Sequence, residues 1–470
     1  MKKNLPLMLM LLIFISSYSQ YLFAQEYSVT TTDNLQTVLE RSQNGDVIVL
    51  EPGRYLGNFI INKQITLRGA SGETKAIIDA QGQGHALTLK NSYITIDNLN
   101  IINWGDDLTE QNSGIYSNEK VAVSSDKKSD KNTYKNKSKK RATNLIIKNN
   151  TLSGDGFGIW LNHVTKAEIF NNSVKGNLTM RSADRGNGIQ VANVTYSHVH
   201  QNETYNTRDG IYVISSQNNL IESNTMHDLR YGIHYMYSYD NTVKNNTAYS
   251  TRAGYALMSS RRLIIVGNKT TDSEDYGFLL NFITQSTFTN NNVKNVWTKP
   301  ENKVLGRDGK GLFVYNSGYN TLEGNTVNTA EIGIHLTAGS ENIKIYNNSF
   351  INNPTQVKYV SNKKQEWSKD GRGNYWSNYL GWDMNNDGIG DTIFEPNDGI
   401  DKLVWQYPEM KMIMDSPAIL ILRWVQKQFP VLKPPGVKDS YPLMKPHFSQ
   451  PISISPVNSS AAEHLQEQQL

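Results

Sequence analysis

The chain has 470 residues, 12 methionines and no cysteine, which excludes disulfides, iron–sulfur clusters, thiolate metal sites and thiol nucleophiles. Any soft metal must take its sulfur from methionine. Charged residues are 19% of the chain, below the usual value of about 25%, and a formal net charge of +4 gives no sign of a nucleic-acid partner.

The first 24 residues read as a secretory signal peptide: Lys2 and Lys3, an apolar run over 5–15, then a polar stretch ending in Leu22-Phe23-Ala24. That run is too short to span a bilayer. A soluble exported chain beginning at Gln25 is expected, and losing the two lysines lowers its charge from +4 to +2. Segment 35–39 reads as a short helix capping the open end of the fold, and 56–67 as its first strands.

Glycine followed by an apolar residue recurs at Gly114, Gly158, Gly188, Gly210, Gly232, Gly254, Gly277, Gly311 and Gly333. The intervals are 44, 30, 22, 22, 22, 23, 34 and 22. Asparagine keeps step at Asn202, Asn224, Asn246, Asn268 and Asn291, then at Asn325 and Asn348. Two marks in phase define a repeat. Its units hold short β-rich pieces with Gly or Asn at the corners, and the leucine ladder of leucine-rich repeats is missing. The fold expected is all-β: a right-handed, single-stranded parallel β-helix of about 22-residue coils over 25–395, followed by an apolar helical arm. Coils about 4.8 Å apart would let the asparagines stack as an internal ladder.

The longer intervals mark insertions. Segment 119–141 is basic and low in complexity, and reads as a loop outside the coils. Segments 177–186 and 299–309 read as loops projecting from the body.

Alternation along each strand turns the positions two and four after each glycine outward. These rows contain Trp160, Tyr212, His234, Phe313 and His335, and Met236, Met258 and Tyr315. So apolar a face is covered or binds something. Arg208, Arg230 and Arg252 recur every 22 residues, with Asp209, Asp228 and Asp275 available to pair with them. Met236 and Met258 hold equivalent positions on adjacent coils, His234 shares their face, and His227 lies near the preceding turn. Thioethers and imidazole suit a transiently held Cu(I). Methionine as filler beneath a covering partner is the alternative.

The closing segment 370–395 is rich in Asp, Asn and Gly. Asp383, Asn385, Asp387, Ile389 (through its main chain) and Asp391 stand at positions 1, 3, 5, 7 and 9 of a calcium-loop pattern, with Gly388 at 6. Position 12 is Phe394 rather than Glu, and a cluster of Asx-turns is the alternative to Ca2+. Residues 396–447 read as a Met-rich, apolar docking arm. Met410, Met412 and Met414 would share one face of an extended segment and add copper ligands. Ser416-Pro417 makes an N-cap and first-turn pair for a helix over 418–429. Residues 448–470 read as a disordered tail. Outward carboxylates do not pair as a glycosidase or lyase requires, so binding is favoured over catalysis. A secreted carbohydrate-binding or carbohydrate-processing β-helix stays open as the alternative.

The coil pattern, the block Asn374-Tyr-Trp-Ser-Asn-Tyr-Leu-Gly-Trp-Asp383 running on to Asp391, the Phe429-Pro to Gly436 stretch and Tyr441-Pro-Leu-Met444 occur in this order. Together they resemble the NosD family, periplasmic accessory proteins of nitrous-oxide reductase maturation. The resemblance covers essentially the whole exported chain. It implies a non-enzymatic periplasmic protein that works with a membrane ABC transporter, receives copper from a lipid-anchored copper chaperone, and serves assembly of the copper centres of apo nitrous-oxide reductase. It also implies docking of the arm, about 410–445, on the transporter at the inner membrane. It supplies no ligand set, so the histidine and methionine assignments rest on the residues alone. The 119–141 insertion departs from the family pattern.

Overall fold

The computed structural model describes residues 24–118 and 141–447, apart from 305, 338, 362, 415 and 430–434. Residues 1–23 of the signal peptide, 119–140 of the insertion and the tail 448–470 lie outside the described residues.

Short strands, each parallel to its counterpart one coil away, build three ladders. One runs from Glu26–Val29 through His198–His200 to Lys344–Tyr346. A second runs from Gly53–Leu56 through Glu203–Tyr205 to Tyr375–Trp376. The third runs from Phe59–Ile61 through Asp209–Ile214 to Thr355–Tyr359 and carries the glycine marks. The last two merge in the long strands Thr225–Met236 and Thr247–Met258. The architecture is a right-handed parallel β-helix with helices toward its C-terminus.

The residue after each glycine forms a stacked core row: Ile189, Ile211, Ile233, Tyr255, Phe278, Leu312 and Ile334 are aligned in register and buried. The glycines themselves answer to coil-to-coil approach. A Cβ on Gly210 would lie 2.6 Å from the Gly232 carbonyl oxygen, and one on Gly232 2.5 Å from that of Gly254.

The asparagine ladder is continuous. From Asn172 through Asn202, Asn224, Asn246, Asn268, Asn291, Asn325 and Asn348 to Asn374, each Oδ1 accepts from both the main-chain N–H and the Nδ2 of the asparagine before it. Buried amides thus satisfy one another without water.

Both ends differ from the sequence expectation. Helix Leu35–Arg41, N-capped by Asn34, does bury Leu35 and Leu39 at the open end. The first strands, however, are Glu26–Val29 and Val47–Leu50, ahead of segment 56–67. Only Val29 of the first strand is buried, so it carries no apolar alternation to read. At the other end, residues 435–447, expected in the docking arm, are built into the closing segment. Val437–Lys438 pairs with Gln365–Glu366, and Leu443 bridges Tyr375 and Ile389. Asp439 is fully buried and terminates the ladder, accepting from Asn374 N–H (2.7 Å), Trp376 Nε1–H (2.8 Å) and Tyr441 N–H (3.1 Å). The helices Gly399–Gln406 and Pro417–Gln428 lie between Phe394 and this returning strand.

Candidate metal centre and docking face

The third ladder positions the copper candidates. Tyr212, His234, Ala256, Leu279, Phe313 and His335 stack in register on its outer side. The row covers itself to a large extent. Tyr212 stacks on His234 with centroids 4.4 Å apart, Tyr231 meets His234 edge-on at 5.2 Å, and Tyr276 stacks on Phe313 at 5.4 Å. Alternation forecast the direction of these side chains but not the neighbouring rings that shelter them.

His234 is 7% exposed. Its Nδ1 lies 2.8 Å from Oδ2 of Asp209, which is itself buried and receives both Nε (2.8 Å) and Nη2 (2.7 Å) of Arg230. Burial works against the Asp209 charge, but hydrogen bonds from His234 and Arg230 outweigh it and hold the carboxyl below its usual range. Asp209, already accepting from Arg230, is thus placed to accept from His234 Nδ1–H as well, with Nε2 on the far side of the ring. Nε2 is buried and has no hydrogen-bond partner. Two residues on, Met236 lies in register with Met258, one coil step of about 4.8 Å away. The Tyr212 hydroxyl donates to the Met236 sulfur at 3.1 Å, which orients the thioether.

His227 does not join this set. It lies in the first half of strand Thr225–Met236, in the second ladder, with its ring stacked between Tyr205 (5.1 Å) and Tyr249 (4.6 Å). Its Nδ1 faces Asp228 at 2.7 Å and its Nε2 faces Glu203 at 3.6 Å. Two of the three arginines of the row are paired, while the Nε of Arg208 is buried without a hydrogen-bond partner. Arg230 binds Asp209 and Arg252 binds Asp275, which also accepts from Arg307. Asp228 pairs with His227 rather than with an arginine. Arg230 and Arg252 line a groove of about 890 Å3 between the 177–186 and 297–309 segments, with Leu178, Arg185, Trp297 and Lys299.

Met410, Met412 and Met414 are also separated. Pro408–Ile413 is a 3-10 turn, not an extended segment. Residues two apart there point about 120° from one another, and Met412 is 90% exposed. Proline at the start of this stretch of sequence suits a first helical turn better than an extended run.

The calcium-pattern loop is folded around its own main chain. Asp383 accepts from the N–H groups of Asp387 (3.1 Å) and Gly388 (2.8 Å), Asp387 from that of Ile389 (2.8 Å), and Asp391 from that of Met384 (2.7 Å). Asn385 accepts from the Asp387 N–H at 3.2 Å. Asn386 at φ 59° and Gly388 at φ 84° make the turn. The Asx-turn geometry is thus present, with the carboxylates gathered on one loop.

Helix Pro417–Gln428 starts as its cap predicted, with Ser416 Oγ accepting from Ile419 N–H. Arg423 ties it to the first turn of Gly399–Gln406 through Asp398 and Asp401, and Gln426 accepts from Gly399 N–H at 3.0 Å. Leu420, Ile421, Leu422 and Trp424 remain 48–60% exposed. No helix among the described residues is long and apolar enough to cross a membrane.

The sequence reading missed a second cluster. Glu168, His198 and His200 bring one ligand atom each within 4.8 Å of the others on the first ladder. The signal was present: an interval of 30 carries 168 onto 198, and the next, of 22, carries 200 onto 222.

A family model described as "Periplasmic copper-binding protein (NosD)" matches residues 170–381. A Pseudomonas aeruginosa protein described as "Probable ABC transporter binding protein NosD" is 47% identical over 404 residues, 86% of this chain and 89% of its own. The chain belongs to the NosD family. A Stutzerimonas stutzeri NosD of the same description is 47% identical over 399 residues, covering 84% of this chain and 86% of its own. The chain is periplasmic, as its NosD family is, and that family is described by binding, not by a reaction. Among solved structures, the chain is similar to a Yersinia enterocolitica family 28 exopolygalacturonase (12% identity, 72% of this chain, 79% of that one, TM-score 0.49). It is also similar to the A-module of Azotobacter vinelandii mannuronan C-5 epimerase AlgE6 (11%, 69% and 93%, 0.46). Neither likeness carries anything about the chemistry of a NosD protein.

Proposed function

We propose that this chain holds Cu(I) transiently in the periplasm and relays it for assembly of the copper centres of nitrous-oxide reductase, while docked on an ABC transporter. The observation that carries the reading is the buried, unpartnered Nε2 of His234, oriented by Asp209 and sharing a face with the thioethers of Met236 and Met258. Two soft sulfurs and one borderline nitrogen favour Cu(I) over harder ions, and with no thiolate the ion is held loosely enough to pass on. Membership of a copper-binding family supports the cargo, and the relatives' description as ABC transporter binding proteins supports the docking.

In this reading copper arrives from a chaperone and leaves to the apo reductase. The exposed side of Pro417–Gln428 meets the transporter, while 435–447 stays in the body. The 383–391 loop takes Ca2+ as a structural ion.

The test is a competition titration of the full chain with Cu(I) against a chromophoric Cu(I) chelator. One equivalent is expected, with affinity at least 100-fold lower in Met236→Leu/Met258→Leu. Those swaps conserve volume and cost less than about 1.5 kcal/mol each, so thermal melts should be nearly unchanged. An unaltered titration in the double variant would overturn the assignment.

A further inference from the structure

The first ladder carries a second arrangement of imidazoles and carboxylates, remote in the register from the thioethers. Glu168 and Phe170 pair with His198 and His200, and these pair with Leu220 and Glu222 on the next coil. Alternation puts Glu168, Phe170, His198, His200 and Glu222 on one side of the ladder. Phe170 stacks on His200 with centroids 4.9 Å apart, and His200 stacks on His198 at 4.0 Å, so both rings are fixed before any ligand arrives.

The two Nε2 atoms are the unusual feature. Both are buried and neither has a hydrogen-bond partner. Each faces a carboxylate at more than hydrogen-bond distance: His198 Nε2 lies 3.6 Å from Glu222, and His200 Nε2 lies 3.9 Å from Glu168. His200 Nδ1 is 3.2 Å from Gln201 Oε1, and Glu222 is anchored by Lys244 at 2.9 Å. An imidazole with one nitrogen hydrogen-bonded and the other bare, as in His200, is the usual arrangement of a metal-ligating histidine.

We propose that Glu168, His198 and His200, closed by Glu222, form a binding site for a divalent transition-metal ion of borderline hardness, of the Zn2+ or Cu2+ class. Two imidazole nitrogens with one or two carboxylate oxygens suit such an ion and offer Cu(I) no soft donor. Glu168 and Glu222 stand one coil step to either side of the two histidines, so closing all four groups on one ion takes side-chain rotations from both neighbouring coils. The site shares no residue with His234, Met236 and Met258, so it stands or falls independently of the Cu(I) reading.

The test is calorimetric titration of the full chain with Zn2+, with Ca2+ in the buffer to saturate the 383–391 loop. One equivalent with micromolar or tighter affinity is expected. His198→Gln/His200→Gln should weaken it at least 100-fold, Glu168→Gln about tenfold, and Met236→Leu/Met258→Leu not at all. Glu168 is exposed, so its variant tests the site even if the histidine pair fails to fold. Absence of stoichiometric Zn2+ binding, binding that survives these substitutions, or binding lost in the methionine variant would overturn the proposal. Cu(I) titration of the histidine variant separates the two readings, since it should be unchanged.

Discussion

At the residue scale, the fold turns buried polar groups to definite uses. Asp439 is the clearest case, because it closes the asparagine ladder with a carboxylate in place of an amide. Burial pushes its carboxyl up from 3.8 to about 6, even though Trp376, Asn374 and Tyr441 all donate to it. Between pH 4 and 6 the unfolded chain carries this charge and the folded chain does not. This group's stabilisation is therefore complete below about pH 4 and is lost as pH rises through about 6, at about 1.4 kcal/mol per pH unit and about 3 kcal/mol in all. Thermal melts of the wild type and Asp439→Asn across pH 4–7 check this. The difference in favour of the wild type should shrink as pH rises, and a constant difference would argue against an elevated Asp439. The residue-level chemistry was only partly legible. His234, Met236 and Met258 could be aligned because the glycine marks give the register of their strand. Glu168, His198 and His200 sit on the ladder without glycine marks, and their alignment appears only when the intervals of 30 and 22 are applied to it.

At the scale of elements, the C-terminal region divides in two. Its cap, first-turn proline and apolar run made helix Pro417–Gln428 readable. The return of 435–447 into the closing segment was not, since its two-residue strand Val437–Lys438 pairs with an equally short partner, Gln365–Glu366, far earlier in the chain and leaves no pattern. The exposed Leu420, Ile421 and Trp424 lie on one side of the helix, at spacings that share a face. Leu420→Glu/Trp424→Glu should abolish co-sedimentation of the protein with inner-membrane vesicles carrying the transporter. Tm should stay within about 2 °C, because exposed substitutions away from caps and cores cost about 0.5 kcal/mol or less. The loop at 383–391 gives a separate outcome. Millimolar Ca2+ should raise Tm, through binding to the folded state alone, and Asp383→Ala should remove that rise. No response of the wild type would leave the loop as Asx-turns only.

At the scale of the whole molecule, the solenoid is a stack of coils in which spacing is set by the coil step, and function is a matter of which side chains fall on which ladder. The core row, the asparagine ladder and the coil length were all legible, because each repeats at 22 residues and stacking rewards identity between neighbours. The ends and the outer rows were less so, since each position there is used once. Carboxylates on the third ladder are tied to arginines, as Asp209 is to Arg230 and Asp275 to Arg252 and Arg307. That pairing favours holding a cargo over attacking a sugar. The account therefore rests on where copper sits. X-ray absorption at the copper edge, on the full chain loaded with one equivalent of Cu(I), addresses this directly. The account predicts a shell of two sulfurs and one imidazole nitrogen, with the sulfur lost in Met236→Leu/Met258→Leu. A shell of nitrogen and oxygen alone in the wild type would contradict it.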